Sequence, residues 1–518
     1  MTQPRISRRT ALGTITTAAA MAASGQSAWG QPRGRAPANL VVDPTPTYEL
    51  SPYLYMQFME PLGATDGSVE AAWDHAEMRW RPDVIETTRE LGPSLMRWGG
   101  IYTDYYRWRE GVGPRSERPP MYNLLWGGIE SNQVGTGEFV DFCRQVNADA
   151  LMCVNFESDG RERYMNFQGS VRTAGAGEAA DWVSYCNDAS HPLRAAHGSP
   201  EAYNIRMWQI GNETSYDRNG FDLDTTARKT VEFAKAMRER DPTIQLIGWG
   251  DSGWAPRMAE VAGEHLDYLA FHHMFNPDDH RDPVLKNLEY RKDPARTWDQ
   301  LMNAWKPHDT KIREVRDSLG GADIPLAMTE CHFDIPGRDR CDVSSTWAAG
   351  VSYARILNNH QRHGDVLKIA TAADFCGTRW QVNAVMIPVP AFRGKAFMMP
   401  VARVMSLYRR HSGTHTANLT NTPDGLDIVS SVDGNKVYLH VVNTERTKDI
   451  STTLAIAGRK ITGGTVHQIV TDPMNEVTRY NPDDIAPVER QMEGNLAEWT
   501  FPAASVSAMV LDVESIET

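Results

Sequence analysis

The feature that most constrains this chain is an alternation. Between about residues 50 and 411, eight short apolar runs are separated by longer amphipathic stretches. The runs are YLYMQFME (53–60), PSLMRWGG (93–100), ALMCVNF (150–156), RMWQIGNE (206–213), IQLIGWG (244–250), LDYLAFHHM (266–274), IPLAMTE (324–330) and VLKIATAADF (366–375). Between them lie segments such as DLDTTARKTVEFAKAMRERD (222–241) and TWAAGVSYARILNNHQRHG (346–364), patterned as helices. Strands alternating with helices build parallel βαβ units. Eight such units predict a closed (β/α)8 TIM barrel over residues 50–411.

From residue 412 the pattern changes. GLDIVSSVDGNKVYLHVVNT (425–444) places two alternating strands around Asp433-Gly434-Asn435, a hairpin signal. ISTTLAIAG, GGTVHQIV, LAEWTF and SAMVLDV continue it. Residues 412–518 are therefore expected to form an antiparallel β-sandwich. Residues 31–49 read as a linker and a short strand joining that sandwich.

ISRRTALG (6–13) sets Arg8 and Arg9 before the weakly apolar run ALGTITTAAAMAAS, with small residues at Ala28 and Gly30. This pattern predicts a twin-arginine export signal over residues 1–30 and a periplasmic or secreted protein. The run is too short and too rich in Thr and Ala to span a bilayer, so no membrane contact is expected after cleavage. The net charge of −13 disfavours nucleic acid and anionic membranes as partners. It says nothing against neutral sugars. The six cysteines form no CxxC pair and no zinc spacing with histidine, and they read as buried thiols.

Barrel enzymes place their chemistry at the C-terminal ends of the strands. The successive runs end in Glu60, in Arg97, in Asn155, in Asn212-Glu213, and later in His272-His273, Thr329-Glu330 and Asp374, with Trp380 and Gln381 just beyond. His272 and His273 are adjacent on a strand and point to opposite faces, so a metal pair is not expected. Glu213 and Glu330 each follow directly on an apolar run, where a solvated glutamate would be out of place. Paired carboxylates are what glycoside hydrolysis needs, one protonated to assist the leaving oxygen and one ionised to attack. No cofactor is required for that chemistry. Gly250-Asp251-Ser252-Gly253 offers an alternative, a serine nucleophile with His272 as base.

The IGNE motif and the later strand-end glutamate resemble the retaining hydrolases of glycosidase clan A. SPYLYMQFMEPLG, MRWGG with YYRWREGVGPRSERP, IESNQVGTGEFVDFCRQVNAD, VNFES and AADWVSYCN resemble, in order, glycoside hydrolase family 51, the α-L-arabinofuranosidases. The resemblance implies Glu213 as acid/base and Glu330 as nucleophile. It implies Asn212 on the substrate 2-hydroxyl, Glu60 on other sugar hydroxyls, Arg97 steadying the nucleophile and Asn155 lining the pocket. His272, Trp380 and Gln381 complete the expected substrate-binding set. Three departures stand where the sugar should lie: Ile101 in place of an asparagine, Met274 in place of a tyrosine, and Cys331-His332 in place of Trp-Asn. The expected function is double-displacement hydrolysis of arabinofuranosides or related furanosides in cell-wall oligo- or polysaccharide. A pyranosidic glycan such as xylan or a β-glucan is the alternative substrate.

Overall fold

The computed structural model describes residues 39–166, 170–493 and 496–516. The twin-arginine segment and residues 31–38 of the linker lie outside them. Eight parallel strands form one sheet: β1 (Gln57–Met59), β2 (Leu95–Trp98), β3 (Asp149–Val154), β4 (Met207–Ile210), β5 (Gln245–Trp249), β6 (Tyr268–Phe275), β7 (Leu326–Phe333) and β8 (Leu367–Ala370). They lie side by side in chain order. The seam closes where the Met56 amide, just before β1, donates to the Ala370 carbonyl at the end of β8, 2.9 Å away. The eight runs thus build the (β/α)8 barrel.

Period-two alternation explains the two cores. Met56, Leu95, Leu151, Met207, Ile247, Ala270, Ala327 and Ile369 form a cluster of their own inside the barrel. Their neighbours Met96, Met152, Trp208 and Met328 belong to the larger core beneath the helices. The helix Leu223–Arg240 between β4 and β5 starts where Asp222 accepts from the Thr225 amide, an N-cap.

Two local breaks in the strand pattern matter for the site. The β6–β7 register shifts after Phe271: Phe271 faces Met328, but His272 faces Glu330. Thr329 is the extra residue of a β-bulge, which re-aims the side chains after it. The run 366–375 is not one strand. It stops at Ala370 and resumes as Asp374–Gly377, which pairs with Asn383–Met386 in a separate three-stranded sheet.

The remaining strands form a nine-stranded, mostly antiparallel sheet domain. Its Asp433–Lys436 hairpin turns through Gly434 at φ 58°. The strand Asn39–Asp43 sits in this sheet between His415–Thr420 and Ile450–Ile456. The sheet packs on the helix Trp347–Arg362, where buried Asp427 accepts from Arg355, Arg362 and Asn358. Trp347 Nε1 donates to the Ala504 carbonyl at 2.7 Å. All six cysteines are buried free thiols. Among the described residues, no helix is long and apolar enough to cross a membrane.

Candidate active site

The barrel's C-terminal rim holds a cavity of about 170 Å³ whose lining includes Glu60, Glu213, Glu330, Asp374, Arg340 and Trp380. Its floor is organised by Arg97, fully buried on β2. Arg97 donates from Nε to Gln209 at 2.9 Å, from one terminal nitrogen to Glu330 Oε1 at 2.8 Å, and from the other to Asn212 Oδ1 at 2.6 Å. One guanidinium therefore fixes residues from β4 and β7 together. Gly99 leaves room for it, since a Cβ there would sit 3.1 Å from Arg97 Cζ.

Asn212 is fully buried, and its Nδ2 has no hydrogen-bond partner among the described residues. A buried amide donor without a partner is costly unless a ligand completes it. Glu213 follows in a left-handed turn, with Gly211 at φ 73° and Glu213 at φ 52°. Its Oε1 lies 2.9 Å from His272 Nδ1, and His272 Nε2 lies 2.9 Å from Thr329 Oγ1. Burial holds His272 neutral, lowered to about 4. A neutral imidazole can donate to an ionised Glu213 or accept from a protonated one, with the Thr329 hydroxyl rotating to match. Arg161 donates to the Glu213 carbonyl at 3.3 Å from below.

One oxygen of Glu213 and one of Glu330 lie within 4.8 Å of each other, with His272 Nδ1 in the same group. These three could also hold a cation by geometry. Burial pushes the Glu213 carboxyl up to about 7, against the pull of Arg97 and Arg161. Burial also raises Glu330, and His272 and Arg97 pull it back. Glu60 is raised well above the carboxylate range, first by burial and then by the nearby Glu330 charge. The arrangement can present one carboxylic acid and one ion-paired carboxylate to the same small volume.

Glu60 Oε1 accepts from the Ile101 amide at 2.9 Å and from Trp126 Nε1 at 3.3 Å. It forms no ion pair with Arg97, whose carboxylate partner is Glu330. Trp126 meets Trp380 edge to face at 5.3 Å, so the two indoles make one wall. Ile101, Met274 and His332 line the same cavity, at the three places where the sequence departs from the family it resembles.

Two expected site residues lie elsewhere. Asn155 Nδ2 donates to the Tyr106 and Arg172 carbonyls, and its Oδ1 accepts from the Ser158 amide. It braces the loop after β3 instead of lining the pocket. Gln381 is carried off by the break in the eighth run and lines a different cavity, beside Arg338 and Glu476. Trp126 and Arg340 were missed, because both sit on long loops with no strand-end signal. The serine alternative fails on geometry. Ser252 Oγ pairs with Ser215 at 3.0 Å, and both His272 nitrogens are engaged by Glu213 and Thr329.

A (β/α)8 barrel with a buried and a mostly buried carboxylate this close, followed by a packed sheet domain, defines the class: the molecule resembles a clan A glycoside hydrolase. Residues 87–295 match the family described as Alpha-L-arabinofuranosidase 1 domain, and residues 336–505 match Alpha-L-arabinofuranosidase C-terminal domain. Glu213 falls in the first segment, and Glu330 falls between the two. A protein of Acetivibrio thermocellus named intracellular exo-α-(1→5)-L-arabinofuranosidase is 32% identical over 248 residues, 44% of this chain and 46% of that protein. One of Bacillus subtilis with the corresponding name is 31% identical over 258 residues, 45% of this chain and 48% of that protein. The chain thus matches about half the length of these relatives. The solved family 51 α-L-arabinofuranosidase of Thermotoga petrophila shares the fold, with a TM-score of 0.74 at 23% identity over 92% of this chain and all of that one. Models of an arabinofuranosidase domain and of an arabinofuranosidase C-terminal domain each match part of the chain, in agreement with the resemblance read from its motifs. The relatives overturn one expectation. They are named intracellular, against the periplasmic or secreted placement read from residues 6–30.

Proposed function

We propose that the protein is a retaining, exo-acting α-L-arabinofuranosidase working in the cytoplasm. The observation that carries this is the carboxylate pair within 4.8 Å, one member ion-paired with Arg97 and the other pushed up to about 7. Retaining hydrolases hold their carboxyl groups roughly 5–5.5 Å apart, and inverting ones hold them wider. In this reading residues 50–411 are the catalytic barrel and residues 412–518 an ancillary domain packed on it.

Glu330 attacks the anomeric carbon while the bond to the leaving oxygen breaks, and that oxygen takes the Glu213 proton. Water then attacks the same carbon, the ester to Glu330 breaks, and Glu213 takes the water's proton. Arg97 keeps Glu330 ionised and aimed. Asn212 Nδ2 donates to the sugar 2-hydroxyl, and Glu60 binds other hydroxyls. A cavity of about 170 Å³ is well below the ~300–1,000 Å³ of sites for larger ligands, which favours one terminal sugar over a threaded chain. The names of the relatives, with their exo action on arabinofuranosides, point the same way. The intracellular naming supports the cytoplasmic location.

The test is turnover of 4-nitrophenyl α-L-arabinofuranoside beside a panel of aryl pyranosides. The furanoside is expected to be cleaved, and E330Q to lose at least about a thousandfold in kcat. Activity on pyranosides alone contradicts the substrate assignment.

A further inference from the structure

Beneath Glu213 lies a second group of buried charges that the hydrolytic steps do not use. Asp104 and Asp159 are fully buried, and Arg161 nearly so. Arg161 donates from one terminal nitrogen to Asp104 Oδ2 at 2.6 Å and from the other to the Glu213 carbonyl at 3.3 Å. The second nitrogen also lies 3.7 Å from Asp159 Oδ2, and Asp217 stands 3.6 Å from Arg161 Nε. Asp159 grips the loop after β4 at both ends. Its Oδ1 accepts from Thr214 Oγ1 at 3.3 Å, and its carbonyl accepts from the Phe221 amide at 2.8 Å. Gly211 leaves room for it, since a Cβ there would sit 3.3 Å from Asp159 Oδ1. Glu157, Ser158 and Asp159 are all left-handed, at φ 52°, 55° and 51°. Three such residues in a row, none of them glycine, are costly and persist only where the surroundings hold them.

No N–H or O–H group of another residue reaches Asp104 Oδ1 or Asp159 Oδ2 among the described residues. Each carboxyl has the other as its hydrogen-bond partner, which requires a proton between them. Burial raises Asp159 to about 6, and burial with the Asp159 charge holds Asp104 well above the carboxylate range. Above 6 the pair therefore keeps one proton and one negative charge, which Arg161 balances. Resting on the acid/base reading of Glu213, we infer that Asp104, Asp159 and Arg161 are positioning residues: a shared proton locks the two carboxyl groups together, and through Arg161 and Thr214 they hold the turn at 211–214 so that the Glu213 carboxyl meets the leaving oxygen.

The test compares kcat/KM on methyl α-L-arabinofuranoside, whose leaving group needs the acid's proton, with that on 4-nitrophenyl α-L-arabinofuranoside, whose leaving group barely does. Glu213→Ala is expected to lose at least about a hundredfold more on the methyl glycoside than on the aryl one. Asp159→Ala is expected to show the same split, at least about tenfold, with KM little changed. Asp159→Asn supplies an N–H in place of the shared proton and is expected to restore most of the loss. Thr214→Val removes only the Oγ1 donor, with an expected split of about threefold, and decides the case should D159A not fold. Equal losses on both substrates in D159A (in T214V if D159A does not fold), or no recovery in D159N, overturn the inference alone, because the E213A split stands apart from them. No split in E213A, or no cleavage by the wild type, overturns the acid/base reading and this inference with it.

Discussion

At the scale of single residues, the account rests on how burial separates two glutamates. Glu213 must be protonated to act, and its carboxyl is raised to about 7 by burial. kcat/KM is therefore expected to fall as pH rises through about 7, the basic limb of the pH–rate profile, set by the free enzyme's essential acid. The same shift has a stability consequence. Between the ordinary 4.5 and about 7 the folded chain keeps a proton that the unfolded chain has released. Stability is complete below 4.5 and declines by up to ~3 kcal/mol as pH passes 7. Glu213→Gln removes the titrating group, so denaturant unfolding from pH 5 to 8 should show a flatter decline than wild type. Arg97→Met tests the other carboxylate. It leaves Glu330 buried without its 2.8 Å partner, which should cost about 3–5 kcal/mol and abolish turnover.

At the scale of elements, the site depends on strand ends that depart from regular geometry. Gly100 has φ 122°, and a Cβ there would fall 2.2 Å from Glu60 Cδ. Gly100→Ala is expected to displace Glu60 and raise KM at least about tenfold, with the barrel still folded by circular dichroism. The sequence made the strand ends legible because apolar runs that stop at a polar residue mark where a barrel strand meets its loop. Glu60, Arg97, Asn212, Glu213, His272 and Glu330 all stand out that way, and they gather at one rim. The Thr329 bulge was not legible, because a register shift belongs to a pair of strands and not to either one. Without it, simple alternation would not allow both Thr329 and Glu330 to serve the pocket. The end of β8 misled for a related reason. VLKIATAADF reads as one apolar run, yet the chain leaves the barrel at Thr371 and takes Gln381 with it. Asn155 was placed correctly at a strand end, but its amide is spent on backbone groups that no residue pattern reveals. Trp126 and Arg340 come from loops, where sequence carries little positional information.

At the scale of the whole molecule, the barrel and the sheet domain are joined through a charged, buried contact. Asp427 accepts from Arg355, Arg362 and Asn358. Asp427→Ala would leave two arginines facing an empty acceptor position. It should lower Tm by several degrees in a single calorimetric transition, with kcat of the folded enzyme little changed. Two separate transitions in the wild type would contradict a shared core. Domain texture was legible here because the period of the apolar pattern changes near residue 412, whereas the docking contact is between residues 65 or more positions apart. The central claim, retention through a covalent intermediate on Glu330, is tested most directly by proton NMR of the sugar first released from an aryl α-L-arabinofuranoside. The carboxylate spacing predicts that the α-anomer appears first and then mutarotates. Initial release of the β-anomer would contradict it.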